Sequence, residues 1–428
     1  MTLRMMFRPL IEFKVTIMRD DFPKYALRKA LIVTRTSTIL DSVAQVNIGR
    51  RTQSYGDSCK FPYLLTPALY MLVNAIPAMQ QLHTIRLSSI FISRMYLYTI
   101  LSSPYLIHLI LDSVQLPKIS IFPHPTLRKL TLRAMRCPWE SVQPLIAQLA
   151  ASLEYLELDW CKFLPPYQLQ LPSFPCLQEL RHRQYHIQSM FPEKNQLNEL
   201  LRLGSQVTHL HVTGHVRNEP VTACRKSLQY LSTSVWMLSD HIFGTEPFPR
   251  LVQLDLRVFL SAEKMKYILA PSPFIHDHFP AITSFHLSIP WEFRNRAIMM
   301  ARSQPNVQTL KLVTIIWERI YDKDSGATDC LFLVEVLNDQ LHHAKLPAAL
   351  QTLTLEAVQH CGELERGATR CIKWVLDDVI HSVTGLGGTS LKSVSLLVSQ
   401  PKSRSVERER VLSRQWVRAP NDVWQVLE

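Results

Sequence analysis

Two His-x-His pairs, His209-x-His211 and His276-x-His278, come closest in this sequence to metal-ligand spacing. Alternate residues of a strand share a face, so each pair could offer two imidazoles to zinc. A third and fourth ligand are missing from the pattern: His215 falls beyond the strand, and His276-x-His278 lies in a proline-bounded loop. Ordinary surface histidines, sensitive to pH, are the expectation. Glu157 and Asp159 share a face in the same way, but nothing selects one as acid and the other as base. The GLGG run from Gly385 to Gly388 lacks the lysine of a phosphate loop and reads as a turn, and neither a nucleophile elbow nor H-E-x-x-H occurs. Eight cysteines (Cys59, Cys137, Cys161, Cys176, Cys224, Cys330, Cys361, Cys371) stand far apart without a C-x-x-C pair, which predicts buried thiols in a reducing compartment. The expectation is a protein that is not an enzyme and takes no cofactor or metal.

The elements that must carry such residues announce themselves by repetition. Leu106-x-x-Leu109-x-Leu111, Leu127-x-x-Leu130-x-Leu132 and Leu153-x-x-Leu156-x-Leu158 are one six-residue phrase at steps of 21 and 26. Further copies begin at Leu251 and Leu350, and looser ones at Leu82, Leu177, Val207, Leu228, Ile282, Val307 and Leu391. Five of these twelve phrases are all-leucine, whereas 62 leucines in 428 residues would give about one by chance. A second mark is independent of leucine: Pro104, Pro125, Pro175, Pro249, Pro280 and Pro305 each stand two residues before a phrase. Proline there ends the preceding element and presets an extended chain. The fold predicted is α/β, a leucine-rich-repeat solenoid with irregular repeats. A curved parallel sheet forms its concave side, and helices and loops form its convex side.

Helical stripes fall between the phrases. Thr66 suits an N-cap and Pro67 a first helical position, ahead of Leu69, Leu72, Val73 and Ile76. Leu97, Ile100 and Leu101 form another stripe, and Val142, Leu145, Ile146 and Leu149 a third, with Ile372, Val375, Leu376 and Val379 near the end. Residues 1–60 read as an N-terminal segment with early degenerate repeats, from two weak phrases (Leu10-x-x-Phe13-x-Val15 and Val43-x-x-Val46-x-Ile48) around a helical pattern from Tyr25 to Leu31. Residues 61–400 are the solenoid, with YDKDSGATD (321–329) a surface loop, and residues 401–428 a charged tail, frayed or helical.

The net charge of +12 raises nucleic acid as a partner, but residues 1–60 hold a surplus of +6 and residues 401–428 of +2, leaving +4 for the rest. No apolar run is long enough to cross a bilayer, since the best, Leu97 to Leu116, is broken by Pro104 and Asp112. No secretory or transit signal fits the N-terminus, where Glu12, Asp20 and Asp21 accompany the basic residues. Cytoplasm or nucleus is the expected location.

Strand, short helix, proline, strand, with irregular spacing and degenerate leucines, resembles the repeat region of fungal F-box leucine-rich-repeat proteins. The likeness spans roughly Phe61 to Gln400, in wording such as ILSSPYLIHLILDSVQLP and FPRLVQLDLRV. In that family a leading F-box docks on the Skp1 adaptor of a cullin ubiquitin ligase and the repeats select the substrate. The resemblance therefore implies a substrate receptor. Residues 1–60 depart from the family: no F-box is recognisable there, and DDFPKYALRKALIV is the nearest stretch. The Asn or Cys usual after each strand is met only by Cys161. Ile90, Val114, Met135, Phe259 and Val358 stand at that place elsewhere, so apolar packing is expected to hold the loops.

Parallel stacking brings positions three, five and seven of each phrase to the concave face, about 4.8 Å from their counterparts on the next strand. The residues expected to meet a protein partner are Arg86, His108, Lys129, Arg133, Tyr155, Glu157, Asp159, Glu179, Arg181, Arg183, His209, His211, Tyr230 and Asp255. Tyr155 and Tyr230, with Arg181 and Arg183, are the strongest anchors by residue type. Asp112, Arg133, Asp159 and Arg183 alternate in sign at position seven and are expected to pair across strands. The function this predicts is a protein–protein interaction scaffold. The alternative is nucleic-acid binding through the basic N-terminus and tail, which a steep loss of binding with salt would reveal.

Overall fold

The computed structural model describes residues 13–18, 23–49, 66–117, 126–159, 161–164, 171–183, 196–213, 222–234, 243–257, 275, 277–290, 300, 304–316, 347–359, 390–401, 408–419 and 424–427. The chain divides into two compact units, Met1–Arg217 and Asn218–Glu428.

The first unit is a parallel sheet laid down in chain order. Its strands are β1 (Phe13–Met18), β2 (Val43–Gly49), β3 (Thr84–Ser88), β4 (His108–Asp112), β5 (Lys129–Arg133), β7 (Tyr155–Asp159), β9 (Glu179–Arg183) and β10 (His209–Thr213), each hydrogen-bonded in parallel to the next. Two further short strands, β6 (Arg136–Pro138) and β8 (Lys162–Leu164), pair with each other in a separate parallel ladder. The second unit continues the numbering with β11 (Tyr230–Ser234), β12 (Gln253–Arg257), β13 (Ser284–Pro290), β14 (Thr309–Ile316), β15 (Thr352–Gln359) and β16 (Ser393–Pro401), parallel in chain order. This is the leucine-rich-repeat arrangement that the phrases predict, and each of the twelve becomes a strand beginning at its third residue.

Register follows from the phrase. Leu109, Leu130, Leu156 and Leu180 stand opposite one another on successive strands, as do Leu231, Leu254, Phe285, Leu310 and Leu353 in the second unit. All nine are fully buried. With period-two alternation, a slip of one residue would turn every one of them to water, so the leucine rows fix the stacking. A fully buried leucine contributes about 2 kcal/mol, and repetition along the rows supplies the core.

Helices close the leucine side. In the first unit these are α1 (Pro23–Arg35), the short α2 (Ser37–Leu40), α3 (Thr66–Ala75), α4 (Arg94–Leu101), α5 (Trp139–Leu149) and α6 (Gln196–Leu203). The backbone N–H of Tyr96 donates to the hydroxyl of Ser93, which caps α4, and Leu97, Ile100 and Leu101 are buried. The stripe Val142, Leu145, Ile146 and Leu149 of α5 is buried as expected. Thr66 is the first residue of α3 rather than its cap.

The turns after β3, β4 and β5 place Ser89, Ser113 and Ala134 at positive φ, 53°, 56° and 48°. Each sends its N–H to the last carbonyl of the next strand, Asp112, Arg133 and Asp159, at 2.7 Å. This backbone ladder does what an Asn ladder would. Beneath it Ile90, Val114 and Met135 are buried, so apolar packing holds these loops, whereas Val358 is buried within strand β15 of the second unit rather than in a loop. Phe259 lies outside the described residues. Cys161, the one residue of the expected type, donates from Sγ to the carbonyl oxygen of Leu132 at 3.3 Å.

Another expectation fails. The charged tail is neither frayed nor helical where it is described: β17 (Arg408–Arg418) pairs antiparallel with β16, and β18 (Trp424–Leu427) antiparallel with β17. Val411, Leu412, Trp416 and Val417 supply strand-forming types between the charges, and the buried ring of Trp416 stands opposite Val394. The weak early phrases do form strands, since Phe13 and Val15 lie in β1 and Val43, Val46 and Ile48 in β2, with α1 between them. The helical stripe at 372–379, the 321–329 loop, GLGG, His215 and His276 lie outside the described residues.

Candidate recognition face

Positions three, five and seven of the phrases form the face of each sheet opposite the leucines. In the first unit Thr84, His108, Lys129, Tyr155, Glu179 and His209 stand in one row, and Asp112, Arg133, Asp159 and Arg183 in another.

Glu157 is the centre of this face. Its carboxylate is 2% exposed and is saturated with donors. The Tyr155 hydroxyl donates at 2.6 Å, and Arg133 gives Nε and Nη2 to Oε1 at 3.2 and 3.0 Å. Nη2 also reaches Oε2 at 3.3 Å, and the Thr131 hydroxyl donates to Oε2 at 3.4 Å. Burial alone would push the carboxyl of Glu157 up. The Tyr155 bond and the Arg133 charge and bonds outweigh it and hold the group below the usual carboxylate range. His108 extends the cluster, with Nε2 3.0 Å from the Thr131 hydroxyl and its ring edge-on to Tyr155 at 6.0 Å. Burial, reinforced by the Lys129 charge, lowers its pKa to about 4, so the imidazole is neutral. Burial and the neighbouring carboxylate push the Tyr155 hydroxyl well above its ordinary value.

On the far side of Tyr155, the guanidinium of Arg181 lies over the ring at 5.4 Å and donates from Nε to Glu179 at 2.7 Å. His211 Nε2 is 3.4 Å from the same Glu179 oxygen. Although burial acts the other way, these partners hold Glu179 down at about 2. The expected position-seven pairing is present but shifted. Arg183 sits 3.7 Å from Asp159 and Arg133 3.9 Å from it, while Asp112 takes Arg86, at 2.8 Å, instead of Arg133. Asp159 is left with a buried oxygen that accepts no hydrogen bond, and burial raises its pKa.

The second unit has its own cluster around Asp255, 3% exposed. Tyr230 and Ser232 hydroxyls donate to Oδ2 at 3.2 and 3.3 Å, and Arg257 gives Nε and Nη2 to it at 3.1 and 2.8 Å. His286 Nδ1 lies 3.2 Å from Oδ1. Burial lowers His286 to about 4, so its ring is neutral beside the carboxylate. Further along, Lys311 pairs with Glu356 at 2.8 Å, and Ser399 donates to the same carboxylate at 2.6 Å.

Of the residues expected on the face, Arg133, Tyr155, Glu157 and His108 thus form one cluster, Arg181, Glu179 and His211 a second beside it, and Tyr230 with Asp255 a third. Lys129 is exposed at the rim, and His209 is exposed with Nδ1 2.9 Å from the Thr208 hydroxyl. His209 and His211 are engaged separately, and no group of three or more potential metal ligands occurs among the described residues. His278 is buried and donates from Nε2 to the Gly244 carbonyl oxygen at 2.8 Å. The sequence reading misses Thr131, Ser232, Arg257 and His286, although the repeat alignment that places Glu157 and Asp255 also places these.

Four cysteines are described, all free: Cys137 and Cys224 are buried as expected, whereas Cys161 is half-buried and Cys176 exposed. Burial raises the thiols of Cys137, Cys161 and Cys224 to about 11, 12 and 12, so they stay protonated at neutral pH. No helix among the described residues is long and apolar enough to cross a membrane. Compared with protein-family models and with curated proteins, the sequence matches none. Chemically, the face offers oriented guanidinium donors, aromatic area and neutral imidazoles, with the carboxylates beneath holding them in place.

Proposed function

We propose that the protein is a protein-recognition scaffold whose working surface is the polar face of the first unit. The observation that carries this reading is the cluster around Tyr155. Its ring is held edge-on by His108, covered by Arg181 and tied through its hydroxyl to the buried Glu157. Tyr and Arg dominate interface energetics, and side chains already fixed in place lose little freedom on binding. The carboxylates are engaged with cations and hydroxyls, which suits anchoring better than proton transfer. With the resemblance of the repeats to those of F-box proteins, the scaffold is read as a substrate receptor that brings its partner to a Skp1-cullin ubiquitin ligase.

The test is affinity enrichment from nuclease-treated extract with the intact chain and with the double variant Arg86→Gln/Arg183→Gln. A defined set of proteins lost with the double variant supports recognition through this face. Equal capture by both, or recovery of nucleic acid alone from untreated extract with steep salt dependence, contradicts it. Co-elution with purified Skp1-type adaptor on gel filtration tests the ligase role separately.

A further inference from the structure

The helices that close the leucine side of the first unit are not alike. α1, α3 and α4 hold five basic residues (Lys24, Arg28, Lys29, Arg35 and Arg94) and no acidic one. They also leave large apolar side chains in water: Tyr25 and Ile32 on α1, Tyr70 on α3, and Met95 and Tyr98 on α4 are each between 49% and 57% exposed. None of the large apolar side chains described on α5 and α6 is exposed, and each of those helices carries a glutamate, Glu140 and Glu199. The helical period interleaves the two kinds of residue. Tyr25, Arg28, Ile32 and Arg35 follow at steps of three and four residues, so they form one outward stripe of α1, on the other side of the helix from the buried Ala26, Ala30 and Val33. Lys29 keeps to the outward side, with Nζ 4.4 Å from the centre of the Tyr25 ring. α1 packs on α3 and α3 on α4, and the rings of Tyr70 and Tyr96 meet between the last two at 6.5 Å. The outward faces of the three helices therefore form one surface. Asp41, beyond α2, is half-buried, and Asp20 and Asp21 lie outside the described residues.

We propose that this surface seats the protein on an anionic phospholipid membrane and leaves the polar face of the sheet open to a protein partner. The headgroups supply the negative charge that the cations lack on their own helices, and the tyrosine rings, Ile32 and Met95 reach the apolar boundary beneath. Arginine and lysine stems lie along apolar surface while their charged ends stay with the phosphates, so interleaving suits such a boundary. Other partners meet only part of the surface. A nucleic-acid backbone would take the cations but leave Ile32 and Met95 in water. Lysine is depleted from protein interfaces, yet Lys24 and Lys29 both stand beside Tyr25. The seat does not depend on the recognition reading, because its residues lie on helices of the leucine side and those of the recognition face on strands.

Co-sedimentation of the full chain with lipid vesicles tests this, comparing phosphatidylcholine alone with a mixture of phosphatidylcholine and phosphatidylserine. The chain is expected to pellet with the mixture and to stay in solution with phosphatidylcholine alone. Arg28→Gln/Arg35→Gln should weaken binding about 25-fold, at about fivefold for each cation beside an anionic surface. Ile32→Gln/Met95→Gln, which leaves every charge in place, should weaken it about tenfold through the lost apolar contact. Lys129→Gln removes one charge from the polar face and should leave binding unchanged. All four helix side chains replaced are exposed, so the core is untouched, and the circular dichroism of each variant should match that of the parent chain. Equal pelleting with phosphatidylcholine alone, no pelleting with either, weakening by Lys129→Gln equal to that of the helix variants, or full binding by Ile32→Gln/Met95→Gln overturns the proposal.

Discussion

Arg133 and Glu157 meet across neighbouring strands with the guanidinium a third exposed and the carboxylate at the floor of the face, joined by three hydrogen bonds of 3.0 to 3.3 Å. A carboxylate this deep is stable only while its donors remain. Removing Arg133 strands a buried carboxylate, so Arg133→Ala is expected to cost about 3 kcal/mol in urea denaturation, and Glu157→Ala less, because the guanidinium keeps water and Asp159. The double variant should lose less than the sum, because it leaves no uncompensated charge. Additive losses would mean that the two side chains act independently.

Acid should weaken the fold in two stages. His108 and the fully buried His182 of the first unit, and His286 of the second, have pKa values lowered by burial from 6.5 to about 4. Between these values the unfolded chain takes up protons that the folded one refuses, so stability falls as pH drops from 6.5 to 4. Below that, Glu179, held at about 2 against an ordinary 4.5, and the lowered Glu157 lose their contribution as they protonate. Asp159, raised, works in the opposite sense. His182 occupies a leucine place of its strand, so His182→Leu should flatten the upper stage. The urea midpoint against pH measures both.

Ala134 carries a Cβ at a φ of 48°, in a turn that repeats after β3, β4 and β5. A left-handed residue with a side chain is strained by about 1 kcal/mol, and glycine relieves it. Ala134→Gly is expected to raise the melting temperature by a few degrees, which is unusual for a new glycine. A lower melting temperature would show that the turn stores no strain.

The opposite holds at Gly49, at the end of β2. A Cβ there would lie 2.1 Å from the carbonyl oxygen of Ser88, and φ is +152°. At Gly204 its nearest contact would be the side chain of Leu177, at 3.0 Å, with the carbonyl oxygen of Leu200 at 3.3 Å. Gly49→Ala should therefore cost more than Gly204→Ala, by at least about 1 kcal/mol, in chemical denaturation.

The fold was legible because its signal is repeated: a degenerate phrase such as that of Val207 is weak alone but is fixed by the spacing of its neighbours. Register followed at once, since Leu109, Leu130 and Leu156 can be buried together only in one alignment. Side-chain partners were less legible. Arg133 could turn to Asp112, Glu157 or Asp159 from the same backbone position, and the choice of Glu157 depends on burial depth, which a row of residue types does not contain. Partners of Asp255 and Tyr230 were missed for a related reason: Ser232 and His286 carry no signal until neighbouring strands are set side by side. The tail misled because its charges resemble a solvated helix, whereas Trp416 opposite Val394 anchors a strand.

The most direct test of the central claim is site-specific photo-crosslinking from two exposed places on the first unit, Lys129 on the polar face and Tyr98 on α4. Protein adducts from Lys129 that disappear with Arg86→Gln/Arg183→Gln, and none of the same adducts from Tyr98, are the predicted result. The same adducts from Tyr98, or adducts to nucleic acid alone from Lys129, would contradict it.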